Sequence, residues 1–404
     1  MKSKASLGSV WLLAVCLLIA GCAGQGEGQG DSQEFAESGV SDDEVVFGSH
    51  ADLSGPVAIW GVGSINGVRM RMDEVNAAGG VHGRTLRLIA EDTLYQVPRA
   101  IQAANKLIHR DEIFAMLLAT GTPTNNAVLE EQFTYGVPNL FPVSGARSMA
   151  EPFHRLKFNA RGIYYDEMRA GVKYFHDQRG ARVFCAIYHD TEYGLEILEA
   201  VQDQLMDMGL ELGEQSAHVP TETEFTGAVL KLRNAGCEVV LMGSVHRDTI
   251  LILEAARKMD WNDVAWVGNN GVFAQVIADQ ESGSGEGFYC FVHMANLYED
   301  SIEDERVRAW WDSYVARYGE EPGLSAMEGY RNTDLVVEAL RRAGRDLTRE
   351  GLISALESIQ DYEDIFGYKV SFSESDHNGV QSSVLTVVEN GRFKKREHEV
   401  ALDY

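Results

Sequence analysis

From residue 44 onward, short apolar runs alternate with longer stretches in which apolar residues recur every three or four positions. VVFGS (45–49) reads as a strand. Ile59, Val62, Ile65, Val68, Met72 and Val75 then mark one face of a helix that Gly79 and Gly80 end, with Ser54 placed to cap its start. LRLIAED (86–92) is the next strand, Pro98 to His109 the next helix, FAMLLA (114–119) a buried strand, and a further helix begins near Pro123. After VPNLFP (137–142) the chain reads as a crossover, and the pattern restarts. A helix over 163–177, the strand RVFCAIY (182–188), a helix lined by Leu195, Leu198, Val201, Leu205 and Met208, and the strands CEVVLMG (237–243) and VAWVG (264–268) continue it. Strands separated by helices of this length predict parallel sheets with right-handed crossovers. Two such blocks predict an α/β fold of two doubly wound parallel-sheet lobes. Helices over 303–318, 325–343 and 348–358 follow, and then a hairpin over 383–395 that turns at Asn390-Gly391.

The chain of 404 residues is long enough for two lobes, each with its own core. Its start is different in kind. Lys2 and Lys4 precede the apolar run VWLLAVCLLIA (10–20), which is too short to span a membrane and reads as a secretory signal over residues 1–21. Ile19-Ala20-Gly21-Cys22 resembles a bacterial lipobox. That resemblance implies cleavage before Cys22 and acylation of its sulfur and new amino group, which tethers the chain to a membrane. Residues 22–43 are Gly, Gln, Ser and acid, with almost nothing to bury, and read as a flexible acidic linker.

The formal charge is -26. This excludes nucleic acid, which needs a basic stripe, and disfavours face-on contact with anionic lipid. Of the cysteines, Cys16 leaves with the signal and Cys22 is the lipid site. Cys185, Cys237 and Cys290 each lie at or in an apolar run. With no CxxC and no close histidines they predict no metal site; buried thiols are expected, with one disulfide left open. Gly61-x-Gly63 falls inside the first helical pattern, with the next glycine only at Gly67, so it is no phosphate loop. There is no HExxH and no GxSxG, and no cofactor is implied.

The stretch D-L-S-G-P-x-A-x-W-G (52–61), N-A-A-G-G-V-H-G-R (76–84) and Y-H-D-T-E-Y-G (188–194) resembles the periplasmic leucine/isoleucine/valine-binding family, type I solute-binding proteins of ABC importers. The resemblance runs through nearly all of residues 44–395. It implies two lobes joined by three crossovers that close on a solute, with the first lobe over 44–160 plus 291–366 and the second over 161–290 plus 367–404. It also implies a monomer that passes a small-molecule solute to a permease and ATPase on separate chains, on the periplasmic or extracellular face of a bacterial membrane. The family grips a carboxylate with two first-lobe loops, here at Thr122 and at Ser144, Gly145 and Ala146. Trp60 would form an apolar wall, and Tyr193 would close over the solute from the second lobe. Asn270 stands where amino-acid binders carry an acid for the solute's ammonium, and His246, with Arg247 beside it, stands where an aromatic residue is frequent. An amide offers no charge, and a buried ammonium without a counter-charge is costly. Both departures favour a carboxylate, amide or aromatic acid over a zwitterion, although Asp248 or Glu192 could supply the missing charge. Tyr164 would line the mouth of the cleft with Tyr165. His50, at the end of the first strand, reads as structural. A sensor built on the same clamp, and less so an enzyme, are the alternatives to transport.

Overall fold

The computed structural model describes residues 37–396 and the short strand Val400–Ala401. The signal segment, Cys22 and the linker up to residue 36 lie outside the described residues.

The first lobe begins with β1 (Glu44–Ala51), α1 (Ala58–Ala77), β2 (Thr85–Asp92), α2 (Val97–His109) and β3 (Ala115–Leu117). The helix expected near Pro123 is two short ones, α3 (Thr122–Asn126) and α4 (Leu129–Thr134). VPNLFP contains β4 (Asn139–Leu140), and β5 (Lys157–Phe158) joins the same sheet before the chain leaves it. The five strands are parallel, in the order β2-β1-β3-β4-β5. Ser54 does not cap α1. No side chain caps the helix; Asp52 instead fixes the turn before it, accepting from the N–H groups of Gly55 (2.6 Å) and Val57 (2.8 Å), while the Ser54 hydroxyl donates to Asp92 (2.5 Å).

The second lobe repeats the design with α5 (Tyr164–Arg179), β6 (Phe184–His189), α6 (Glu192–Asp207), β7 (Glu214–His218), α7 (Thr226–Asn234), β8 (Val239–Gly243), α8 (His246–Lys258), β9 (Ala265–Gly268), α9 (Gln275–Ala278) and β10 (Tyr289–Val292). Its parallel strands run β7-β6-β8-β9-β10, the same order as in the first sheet. The chain then builds α10 (Glu305–Tyr318), α11 (Leu324–Ala343) and α12 (Arg349–Glu357). The first two pack on α1, where Trp310, Tyr314 and Tyr330 form an aromatic cluster. A two-strand ribbon, β11 (Tyr362–Glu363) and β12 (Lys369–Val370), leads back to the second sheet. There β13 (Ser382–Glu389) and β14 (Arg392–Lys395) form the expected hairpin at Asn390-Gly391, antiparallel to β10, and β15 (Val400–Ala401) pairs with β13.

The central strands β3, β6, β8 and β9 hold almost only apolar side chains because helices cover both faces of each sheet, while the edge strands β2 and β7 carry polar residues. Cys185 on β6 and Cys237 before β8 are joined in a disulfide, with Cα atoms 5.8 Å apart, so the expectation of buried thiols fails for this pair. Adjacent strands bring the two cysteines together. Cys290 is a buried free thiol.

Candidate functional site

In open parallel sheets, ligands sit beyond the carboxyl ends of the strands. Here those ends from both lobes meet around one small cavity of about 30 Å³. Its first-lobe wall is Val57 and Trp60 after β1, Tyr95 after β2, Thr120, Gly121 and Thr122 after β3, and Val143 after β4. Arg161 and Tyr164 follow β5, and Tyr193, Val245 and Gly271 close the cavity from the second lobe. Four non-glycine residues that follow the first-lobe strands hold left-handed backbone: Leu94 (φ 52°), Tyr95 (φ 55°), Leu118 (φ 52°) and Phe141 (φ 54°). Such conformations cost on the order of 1 kcal/mol each, and they gather where a scaffold must aim side chains.

The chemistry of this wall is one-sided. Arg161 is 2% exposed and Trp60 5%. The guanidinium lies 4.5 Å from the centre of the Trp60 ring and donates through Nε to Glu328 of α11 at 2.7 Å. Arg161 Nη2, Trp60 Nε1 and Thr120 Oγ1 are buried without a protein partner. No acidic side chain lines the cavity. Buried polar groups normally find partners, so three open groups on one wall mark a place prepared for an acceptor. Burial alone would push the Glu328 carboxyl up, but Arg161 and His293, whose Nε2 is 2.9 Å away, bring it down to about 2. His50, behind Thr120, is held neutral by burial, its pKa lowered to about 4.

Of the residues expected from the sequence, Trp60, Thr122, Tyr164 and Tyr193 are brought together at the cavity. Tyr164 and Tyr193 pack edge to face at 5.1 Å, and the Tyr193 hydroxyl is fixed between the Ser244 carbonyl (3.2 Å) and Asn269 Oδ1 (3.1 Å). Ser144 stands behind Thr122. Their hydroxyls are hydrogen-bonded at 2.8 Å, and Ser144 Oγ accepts from the Ala146 N–H at 3.2 Å. Gly145 brings its loop against the second lobe: a Cβ there would lie 2.3 Å from the Gly162 carbonyl and 2.8 Å from the Tyr164 ring. Gly121, at φ +96°, packs just as closely under the ring of Tyr95.

Ser144, Gly145 and Ala146 thus stand behind the cavity wall, and Asn270, Arg247 and His246 do not line the cavity either. The Asn270 amide donates to the Gly162 carbonyl and to Glu167, both at 2.8 Å, and its backbone N–H also donates to Glu167. Ser383 of β13 donates to the other Glu167 oxygen at 2.6 Å. Asn270 therefore ties the β9 loop to the crossover after β5, and its neighbour Gly271 faces the cavity. Arg247 donates to the Pro220 and Glu222 carbonyls and to Asp248, which anchors a second-lobe loop. His246 is the first residue of α8, with its pKa lowered by burial, and Val245 takes the place on the wall. Asp248 offers no charge to the cavity either. It accepts from Arg247 and from His189 (2.5 Å), with His218 at 3.3 Å.

Sequence reasoning missed Tyr95, Thr120 and Arg161. Thr120 was within reach, two residues before Thr122 in the same loop. Arg161 was not, because its burial depends on Glu328, 167 residues away.

A latch lies at the mouth of the cleft. The Arg147 N–H donates to Glu196 of α6 at 2.9 Å, its guanidinium pairs with Glu199, and it stacks 3.8 Å from the Tyr165 ring.

Comparison with known proteins bears out the two-lobe fold. The leucine-, isoleucine-, valine-, threonine-, and alanine-binding protein of Pseudomonas aeruginosa is 22% identical over 314 residues, covering 77% of this chain and 81% of its own. Leu/Ile/Val-binding protein homolog 8 of Brucella abortus is 25% identical over 363 residues, covering 83% and 86%. Among solved structures, a fatty acid ABC transporter substrate-binding protein from Thermomonospora curvata superposes with a TM-score of 0.81 at 20% identity, over 91% of this chain and 94% of that one. The branched-chain amino acid transporter substrate binding protein LivJ of Streptococcus pneumoniae, in complex with isoleucine, gives 0.76 at 20% identity, over 89% and 100%. The family model described as periplasmic binding protein matches residues 44–392, and the chain belongs to that family of non-catalytic proteins that bind solutes for ABC transporters.

Proposed function

We propose that this protein captures a solute bearing a carboxylate between its two lobes and delivers it to a permease and ATPase on separate chains. In this reading the lobes are 44–160 plus 291–366 and 161–290 plus 367–404, and a lipid on Cys22 tethers the mature chain outside the cytoplasm. The observation that carries the reading is the donor-rich wall: Arg161 Nη2, Trp60 Nε1 and Thr120 Oγ1 are buried, unpartnered and unopposed by any acid lining the cavity. A carboxylate would accept from these groups in charge-assisted bonds, the stronger kind. An α-ammonium would find no acidic side chain on the cavity wall, with Glu192 and Asp52 acting only from behind Tyr95. The ligands named for the relatives, several amino acids and a fatty acid, have the carboxylate in common. Thr122 and Tyr193 complete the wall, Tyr95 and Tyr164 flank it, and Ser144, Gly145 and Ala146 hold the Thr122 loop in place.

Closure is a population shift driven by the better contacts of solute in the closed form. Arg147 on Glu196, Glu199 and Tyr165 would latch that form. Arg161–Glu328 and Glu167–Asn270–Ser383 stiffen the crossovers about which the lobes turn.

A thermal-shift panel on the protein stripped of bound ligand tests the reading. Aliphatic and aromatic carboxylates should raise Tm, and the matching amides and amino acids should raise it less. A ligand at 100 times its Kd adds about 2.7 kcal/mol, an easily seen shift. Stabilisation by amino acids alone would overturn the reading. The mass of the N-terminal peptide, and release of a Cys22→Ala variant from the membrane, test the tether.

A further inference from the structure

The central cavity has room for a carboxylate head and little else, at about 30 Å³. Trp60 is also part of a second and much larger space, a groove of about 380 Å³. Ala58, Ile59 and Val62 of α1 and Leu324 of α11 form one side of this groove, and Phe273 and Ala274 of the second lobe form the other. The walls are mostly apolar, and Ile59 is 41% exposed there. Gln275, Asn296 and Ser325 also line the groove and are engaged: the Gln275 amide donates to Asp279 and the Gly391 carbonyl and accepts from Asn296, and the Ser325 hydroxyl donates to the Ile59 carbonyl. Glu320 and Glu321, both exposed, stand at the outer end. The indole thus separates a small site rich in donors from a long apolar one, and both lie between the lobes.

We propose that the solute is an amphiphilic monocarboxylate: its head meets Arg161, and its apolar chain runs past Trp60 into the groove between α1, α11 and residues 273–274. This rests on the carboxylate reading above and adds the class of the body. The two glutamates at the far end repel a second carboxylate, so the distal end of the solute is uncharged.

Isothermal titration with butanoate, hexanoate, octanoate and decanoate tests the proposal. Each added methylene that enters the groove should tighten binding about fourfold. Octanedioate should bind at least tenfold more weakly than octanoate. Ala58→Phe and Val62→Phe, each of which fills the groove from a half-buried position, should abolish the gain with length while leaving butanoate affinity unchanged. If butanoate binds and affinity is flat along the series, the groove is not used and this proposal falls while the carboxylate reading stands. A gain with length that neither groove-filling variant reduces also overturns it, because the chain then lies elsewhere. If no acid of the series binds, the carboxylate reading itself fails and takes the proposal with it.

Discussion

Arg161 carries two roles that a pair of substitutions separates. Its guanidinium and Glu328 form an ion pair at 2.7 Å with side chains 3% and 1% exposed. Removing one partner of such a pair leaves an uncompensated buried charge, which costs about 3–5 kcal/mol, whereas replacing both with neutral groups of similar shape is close to neutral. Arg161→Met should therefore destabilise the protein by about 3–5 kcal/mol. Arg161→Met with Glu328→Gln should recover all but about 1–2 kcal/mol of that loss. Ligand affinity should not follow the same course. A hydrogen bond to a charged group is worth about 1.5–3 kcal/mol, so loss of the open Nη2 donor should weaken carboxylate binding about ten- to hundredfold in the double variant too. Urea unfolding gives the stability terms, and titration calorimetry with octanoate gives the affinity. If the double variant regains stability and also binds the carboxylate as the parent does, Arg161 is a structural residue only, and the argument from its open donor is refuted.

Trp60→Phe keeps an aromatic face for Arg161 but removes the buried Nε1–H and one ring of the indole, and should weaken carboxylate binding about tenfold or more by calorimetry, with a lowered Tm from the smaller side chain. Burial pushes the Glu196 carboxyl up to about 7, against the pull of the Arg147 N–H and guanidinium. A raised carboxylate pKa means that the folded state binds more protons than the unfolded one between the ordinary carboxylate range and about 7, so this group's contribution falls as pH rises through that window. Melts of Glu196→Gln between pH 5 and 8 should show a shallower loss of stability than the parent. The Cys185–Cys237 disulfide spans 52 residues, and in the chain-entropy account a loop of that size stabilises by about 4 kcal/mol. Cys185→Ala with Cys237→Ala should lower stability by a comparable amount. The unreduced, unfolded chain should yield Cys290 as the one titratable thiol among the described residues.

The frame of the molecule was legible because both sheets are covered on two faces. Each central strand is a continuous apolar run, and crossover helices such as α2 and α6 bury one periodic face, whereas α1 is buried on most sides and leaves Ile59 exposed. Where that rule weakens, so does the reading. β4 and β5 are two residues each, too short to leave a pattern, and Ser54 turns to Asp92 on the next strand instead of capping α1. The candidate site was legible where a residue stands in the first turn of a helix that follows a strand, as at Trp60, Thr122 and Tyr193. It was not legible where chemistry depends on distant partners. Asn270 stands on the expected loop, but its donors turn to Gly162 and Glu167, more than a hundred residues earlier. The Arg161–Glu328 pair and the Cys185–Cys237 bond likewise arise from packing between elements, of which local sequence carries no trace.

The central claim is that the cleft recognises a carboxylate and rejects the ammonium that accompanies it in an amino acid. Leucine and 4-methylpentanoate differ only in that ammonium, so their Kd values, measured side by side by calorimetry on the ligand-stripped protein, test the claim most directly. Burying an unpaired ammonium costs several kcal/mol, so the account expects 4-methylpentanoate to bind at least about a hundredfold more tightly than leucine. Equal affinities, or tighter binding of leucine, would contradict it.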